Sequence, residues 1–295
     1  MMSFWRLPVK RLGRKVNMNT VYALWIRGLK AFIRNKTGLI FSLIFPFFFV
    51  YVFGAIFKND FIENPIAYML SGVIITTVFE SSLNLASSTV DDMVSGFMKE
   101  VLVSPAKRIA VAMGQLLSAA TVATLQGILI LIIGLFIGIK FTTWTTPIFI
   151  LFAMIFVGLA FSGVGLFLAT IVRSGQTFQI VKTAITMPLT FVSGAYIPIS
   201  MLPDALKYVA YINPMTYATA FFRMIVLEKT NLSTAELVKE GLAIDINGFI
   251  VTPIMSFAII VAIGLIFLIL STNSFVKTDF SRVSRSSNDA SALWG

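Results

Sequence analysis

Neither cysteine nor histidine occurs anywhere in this chain. The first absence removes disulfides, thiolate metal sites and cysteine nucleophiles. The second removes the commonest general base, the commonest transition-metal ligand and the side chain that changes charge near neutral pH. Charge of either sign is also scarce. Asp, Glu, Lys and Arg make up 12% of the residues, about half the share usual in a soluble domain. The thirteen acids are scattered, so no paired carboxylates, HExxH helix or serine triad can be argued, which speaks against an intramembrane enzyme. No G-x-x-x-x-G-K-[ST] sequence is present, and Gly134, Gly138 and Lys140 have the wrong spacing for one. The chain has no P-loop with which to hold ATP.

Apolar residues fill the sequence instead, at 57% of the total and a mean hydropathy of +0.90. That composition belongs to an all-α integral membrane protein with several spans. About 20 residues of helix cross roughly 30 Å of hydrocarbon, and uncharged runs of that order occur near 38–57, 66–88, 109–139, 147–172, 176–197 and 249–271. Six transmembrane helices are therefore expected. The third run is too long for a perpendicular crossing and must tilt or begin outside the hydrocarbon. The fifth carries Lys182 and can kink at Pro188, its freed backbone groups being satisfied by neighbouring helices or water.

The net charge of +10 has a definite distribution. The first 37 residues hold nine Lys or Arg and no acid, a cytoplasmic arm rather than a cleavable signal, since the first apolar run comes late, is long and lacks a small-residue cleavage site. Within that arm Tyr22, Trp25, Leu29, Phe32 and Ile33 recur at helical spacing, with Arg27, Lys30 and Arg34 on another side, as in a helix lying in the headgroups. With the N-terminus inside, 17 basic residues face inward and six (Lys58, Lys140, Lys207, Arg223, Lys229, Lys239) face outward. The positive-inside rule then puts both termini in the cytoplasm. The expected organisation is an arm and interfacial helix over 1–37, a membrane domain over 38–271 and a cytoplasmic tail over 272–295.

Two segments between spans stand out. In 91–108, DDMVSGFMKEVLVSPAKR, Asp91 or Asp92 is placed to N-cap a short internal helix. Val94, Phe97, Met98 and Val101 would fall on one face, with Ser95, Lys99 and Glu100 around the other, and Pro105 would end it. In 198–248, the first half is too apolar for a free loop but is broken by Pro198, Pro203 and Pro214. Short helices dipping into the outer leaflet fit it, with Tyr208, Tyr211 and Tyr217 at headgroup level. Ser233 and Glu236 make a capping box there. Asn231-Leu232-Ser233 matches a glycosylation acceptor and receives no function.

Inside the spans Glu80, in VFESSLNLASS with Asn84, is the one carboxylate well within an apolar run, a position that either lines a substrate path or bonds to a neighbouring helix. Gln115, Ser118, Thr121, Thr124 and Gln126 make the inner half of the third span polar and small, for packing against protein or for a wet cavity. Gly134-x-x-x-Gly138 and Ser162-Gly163-Val164-Gly165 would permit close helix contact. No internal repeat accompanies these groups, which argues against an ion-coupled secondary transporter.

Three passages resemble the membrane subunit of the ABC-2 transporter family: RNKTGLIFSLIFPFFFVYVFG (34–54), GFMKEVLVSPAKR (96–108) and VSGAYIPISMLPDALKYVAYINPMTYATAFFR (192–223). The likeness runs from about Met18 to Ser271, and the third passage places it in the drug-export branch typified by daunorubicin-resistance permeases, the polysaccharide-exporting branch being the nearer alternative. The resemblance implies a half-transporter of the cell membrane. Two copies of this permease would pair with two copies of a separate ABC ATPase subunit that binds the ATP and Mg, leaving no cofactor in this chain and no nucleic-acid partner. Gly96, Phe97, Lys99, Glu100, Val101, Leu102, Pro105 and Arg108 would form the coupling helix seated on the ATPase. Gly194, Pro198, Pro203, Asn213 and Pro214 would shape the outer re-entrant helices, and Glu80 and Asn84 would line a path between the first, second and fifth spans. The implied cargo is a hydrophobic or amphipathic drug, antibiotic or lipid. A membrane scaffold that recruits partners without transport is the remaining rival.

Overall fold

The computed structural model describes residues 18–56, 65–103, 106–137, 139, 141–172, 174–229 and 232–278. The first 17 residues, Pro105, Gly138, Asn231 and the tail beyond Thr278 lie outside the described residues. The chain is almost wholly helical: α1 (Met18–Arg34), α2 (Lys36–Ile56), α3 (Pro65–Val94), α4 (Phe97–Val103), α5 (Arg108–Ile137), α6 (Thr146–Ile171), α7 (Gly175–Val192), a 3-10 turn (Ile199–Met201), α8 (Asp204–Ile212), α9 (Pro214–Leu227), α10 (Thr234–Lys239) and α11 (Pro253–Lys277). An antiparallel hairpin, β1 (Ile244–Ile246) with β2 (Phe249–Val251), precedes α11.

Among the described residues four helices, α3, α5, α6 and α11, are long and apolar enough to cross a membrane. The pair α1 and α2, bent by 71° at Asn35, would add a fifth span if counted as one unit. Helix α7, with Gln176, Gln179 and Lys182 in its first half, does not meet that composition. The last span starts later than its apolar run suggests. Phe249, Ile250 and Val251 belong to β2, and Pro253 opens α11. Asn247 (φ 53°) and Gly248 (φ 89°) make the two-residue turn, whose left-handed angles suit an Asn-Gly pair, and Asp245 Oδ1 accepts the Gly248 N–H at 2.8 Å.

Helix α3 is the axis of the bundle. In its apolar stretch 89% of the residues are buried, against 22% in α11, because α5, α6, α9, α2 and α7 all pack on it. Small residues set the closest approaches. The backbone of Leu268 in α11 lies where a Cβ on Gly163 would stand, and Leu83 of α3 meets Gly165, so α6 is held between α3 and α11 by the glycines of the SGVG stretch. Helices α2 and α7 are more loosely held. On α2, Phe41, Phe48 and Tyr51 are exposed, and on α7, Ile180 and Met187.

Prolines also start helices, one of them Pro214 in the broken segment after α7. Pro147, Pro214 and Pro253 each occupy a first-turn position, where the missing N–H costs nothing. Asn213 N-caps α9, its Oδ1 accepting from Met215 N at 2.9 Å while its Nδ2 donates to Leu189 O at 2.7 Å. The Ser233–Glu236 capping box is present on α10. Tyr208 is exposed as expected of a headgroup residue, whereas Tyr217 is buried at 7% exposure and donates to the Tyr211 carbonyl.

At the hairpin end of the bundle Glu228 locks α9 to the α5–α6 connection. It sits at the C-cap of α9 with φ 54° and accepts from Thr142 N at 2.7 Å, Thr143 N at 2.9 Å and the Thr146 hydroxyl. Partial desolvation works to raise its carboxyl, but the hydrogen bonds from Thr146, Thr143 and Thr142 outweigh it and hold the group down at about 2. A carboxyl depressed in the folded state adds stability that is complete above its ordinary value and disappears as pH falls through the folded one. Glu228→Gln is therefore expected to melt below wild type at neutral pH, with the gap shrinking on acidification from about pH 4.5 to about pH 2. Thermal unfolding of both proteins in detergent across that range is the check.

Candidate functional site

Four residues of α3 are exposed, and all four are polar: Glu80, Asn84, Ser88 and Asp91. Steps of four, four and three place them on one stripe of the helix. Helices that face lipid expose the opposite chemistry, as Phe41 and Phe48 of α2 do. The stripe is continued by α7, whose Lys182 donates to Asn84 Oδ1 and whose Gln179 donates to Ser87 Oγ at 3.1 Å. Lys182 is also close enough to Glu80 for their charges to interact. On the other side Gln126 of α5 accepts from Ser81 and donates to Ser42 of α2 at 3.0 Å. Of these groups Ser42, Ser81, Asn84, Ser87, Ser88, Asp91, Gln126 and Gln179 line a cleft of about 420 Å³ between the α1–α2 corner, α3, α5 and α7, while Glu80 and Lys182 stand outside its lining.

A second cluster lies at the end of α3 that carries α1 and α4. Arg27 of α1 makes a two-pronged ion pair with Asp92, 2.6 Å on each branch, and its guanidinium stacks 4.2 Å from the Phe97 ring centroid. One side chain thus joins the first helix, the end of the central helix and the start of α4. This corrects the expected capping role of Asp91 or Asp92. Helix α3 runs through both to Val94, since Arg27 offsets the cost of an acid near a helix C-terminus. The break comes at Gly96, whose φ of +83° favours glycine. The apolar face assigned to α4 does form. It turns into the protein, Met98 being 1% exposed and packed with Leu24, Met93, Val111 and Phe275, while Val94 and Val101 rest against the same cluster. Glu100 is exposed. Arg108 donates to Val276 O at 2.8 Å and Thr278 O at 2.9 Å, covering carbonyls at the end of α11.

Helix α1 lies along α5 through Val21 and Leu24, which are buried, and Trp25 Nε1 donates to Thr121 at 3.0 Å. Tyr22 and Ile33, on the other apolar face, are each 61% exposed. The polar inner half of α5 is therefore used for packing against α1, α2 and α3.

At the opposite end Arg223 of α9 is 1% exposed. Its Nη2 donates to the Gly194 and Ala195 carbonyls at 3.0 Å each, its Nε to Ser71 at 3.2 Å, and its guanidinium lies 3.6 Å from the Tyr68 ring centroid. Gly194 has φ +81°. The external cation expected from charge counting is thus an internal clasp uniting α9, α3 and the turn after α7. Its environment is a cation–π face plus carbonyls, with no carboxylate among its described contacts.

The family model for ABC-2 type transporters matches residues 19–227. The chain belongs to the ABC-2 type transporter family. This ABC-2 permease is 23% identical over 211 residues to the transport permease ycf38 of Cyanophora paradoxa, covering 69% of this chain and 73% of that protein. It is 30% identical over 117 residues to nodulation protein J of Rhizobium meliloti, covering 40% and 44%. It is 23% identical over 158 residues to the inner membrane transport permease YadH of Escherichia coli, covering 53% and 60%, so the chain spans less than two thirds of the length of the last two. It is an integral membrane protein and a transport permease, of a family that works in general with an ABC ATPase.

Against that family, the site residues of the ABC-2 permease fall into three places. Glu80 and Asn84 share the α3 stripe. Gly96, Phe97, Lys99, Glu100, Val101 and Leu102 lie at or on α4, with Arg108 opening α5 and Pro105 outside the described residues. Gly194, Pro198, Pro203, Asn213 and Pro214 surround the broken segment between α7 and α9. Arg27, Asp92, Gln126, Gln179 and Arg223 were not legible as site residues, because each acquires its role from a partner distant in sequence. For the permease joint, Arg27→Met and Asp92→Asn are each expected to destabilise, and the double variant to cost less than their sum, by a coupling of about 1 kcal/mol for this half-exposed pair. A double-mutant cycle on melting in detergent measures it. Arg223→Met takes the guanidinium from the Ala195 carbonyl and leaves the Gly194 carbonyl with only the Tyr68 hydroxyl; it is expected to cost about 1–3 kcal/mol in the same assay.

Proposed function

We propose that this permease is the membrane half of an ATP-driven exporter of the drug-export branch, moving a hydrophobic or amphipathic drug, antibiotic or lipid outward across the cell membrane. The observation that carries this reading is the polar stripe on α3. A helix packed on nearly every side, whose exposed positions are all polar, is ill suited to lipid and well suited to a water-accessible path or a partner. Two copies would set their stripes toward each other, with α2, α3 and α7 bounding the route and Glu80 and Asn84 along it. In this reading the protein has six spans with both termini cytoplasmic, α2 and α7 being the first and fifth, α1 the connecting helix, and the segment from Pro198 to Arg223 the outer re-entrant pair.

Energy would enter at α4. Two copies of a separate ABC ATPase would hold the ATP and Mg, with no cofactor in the permease itself. Met98 and Val101 face inward, so a push on the outer side of α4 near Glu100 would be passed into the cluster around Leu24, Met93 and Phe275. Arg27 would carry the same movement to α1 and α3 through Phe97 and Asp92. Phe97 and Val101 then serve as the mechanical link, and Ser95, Lys99 and Glu100 as the ground for docking. Support for the drug branch comes from the SGAYIP and NPMTY passages.

Purified permease and its ATPase, co-reconstituted in vesicles, should hydrolyse ATP faster in the presence of cargo and accumulate it on one side. Uphill transport by the permease alone would instead reveal an ion-coupled carrier, and hydrolysis indifferent to every amphiphile a scaffold. Glu100→Lys is expected to lower ATPase co-purification by about tenfold with membrane insertion unchanged; full retention would move the contact off α4. Glu80→Gln is expected to change the substrate range, and a wild-type profile across a panel of amphiphiles would assign it to packing.

A further inference from the structure

The lining of the α3 cleft limits what can bind in it. Eight of its side chains are amides or hydroxyls, among them Asn35, Ser42, Asn84, Ser88, Gln126 and Gln179, with one aromatic ring, Phe32, and one carboxylate, Asp91. Several of these groups retain unused capacity. Asn84 accepts from Lys182 through Oδ1 and Asn35 accepts from Gly38 N through its own, leaving both amide NH2 groups without a partner in the described structure. Gln179 donates through Nε2 and keeps its carbonyl. An amide offers two donors and two acceptor sites, so the cleft presents an alternating set of both. Glu80 and Lys182 are not among its lining residues.

A flat aromatic cation is a poor match to that surface. It would find one ring and one carboxylate, and would bury amides that it cannot pair, each at a cost comparable to a lost hydrogen bond. An uncharged ring bearing several hydroxyls both donates and accepts at each one. The volume of about 420 Å³ falls within the range of small-molecule sites and suits a sugar-sized group. Beside the cleft, α2 and α7 expose Phe41, Ile44, Ile180 and Met187, an apolar surface that an alkyl chain can follow.

We propose that the cleft between α1–α2, α3, α5 and α7 is a binding site for the uncharged, polyhydroxylated head of an amphiphile, recognised by the free amide groups of Asn35, Asn84 and Gln179, with the tail along α2 and α7. This rests on the transport reading above and narrows its cargo within the amphipathic class. Asn84 and Gln179 are specificity determinants in it; both are exposed, so their replacement removes two surface hydrogen bonds between α3 and α7 and no buried apolar contact.

The test uses the full-length permease in lipid nanodiscs without its ATPase, probed by saturation-transfer NMR with octyl β-glucoside below its solubilising concentration, free glucose, and octyltrimethylammonium. Wild type is expected to transfer saturation to the sugar protons of octyl glucoside. The double variant Asn84→Leu, Gln179→Leu should weaken that binding by about tenfold, with octyltrimethylammonium unaffected and cooperative melting retained at a temperature lowered only by the loss of the two exposed α3–α7 hydrogen bonds. Glucose binding as well as the glucoside would assign the site to a saccharide without need of a tail, overturning the amphiphile. Equal glucoside signals in wild type and variant, or tighter and variant-sensitive binding of the ammonium probe, would overturn the head-group assignment. Since no ATPase is present, these outcomes are separate from those that decide whether transport is ATP-driven.

Discussion

A polar side chain within a bilayer must find a partner or water, and α3 gathers most of the places where this protein meets that requirement. On its buried faces Ser71, Thr76 and Ser82 turn their hydroxyls back to carbonyls of their own helix, which lets α5, α6 and α9 pack against an apolar surface. On the remaining face Glu80, Asn84, Ser88 and Asp91 are exposed, Ser88 alone turning its hydroxyl back to the Leu85 carbonyl. The two loosely attached helices, α2 and α7, border that face, and the hydrogen bonds that hold them to it come from Gln126, Gln179 and Lys182. The polar stripe is thus both the exposed face of α3 and the place where side-chain hydrogen bonds attach α7 to it.

The two ends of α3 are fastened differently. At one end Arg27 and Asp92 make a charged, partly exposed joint with α4 stacked on it, the kind of contact that breaks and reforms at modest cost. At the other end Arg223 is fully enclosed by neutral acceptors and a tyrosine ring, with Glu228 locking the neighbouring loop to α6. A buried, fully satisfied cation is costly to disturb. If movement is delivered at α4, as proposed above, it would meet a partly exposed ion pair at the first end and an enclosed clasp at the second.

The inward turn of α4's apolar face bears on how the proposed push would be transmitted. A helix that offered Met98 and Val101 to a partner would bind by its own hydrophobic area. With those residues in the bundle, a partner docked as proposed would meet the exposed side of α4 at Glu100, while the apolar side packs on Leu24, Met93 and Phe275. Arg108 extends the same connection to the end of α11, so α1, α3, α5 and α11 all meet within a turn or two of α4.

The amino-acid order by itself determined the membrane class, the position of the long apolar helices within a few residues, the short helices after Pro198 and the start of α10. These follow from local requirements, since hydrocarbon demands that each backbone group bond within its own helix and proline forbids it at fixed points. The Asn247-Gly248 hairpin was equally local and could have been read from its turn pair. Tertiary structure alone decided that Asp92 ends a helix instead of beginning one, that Arg223 is enclosed, and that the polar residues of α3 form one open face. Those outcomes depend on Arg27, Ser71, Gly194, Gln126 and Lys182, brought from distant stretches of chain, and a one-dimensional pattern of apolar and polar residues carries no record of which distant group will neutralise which.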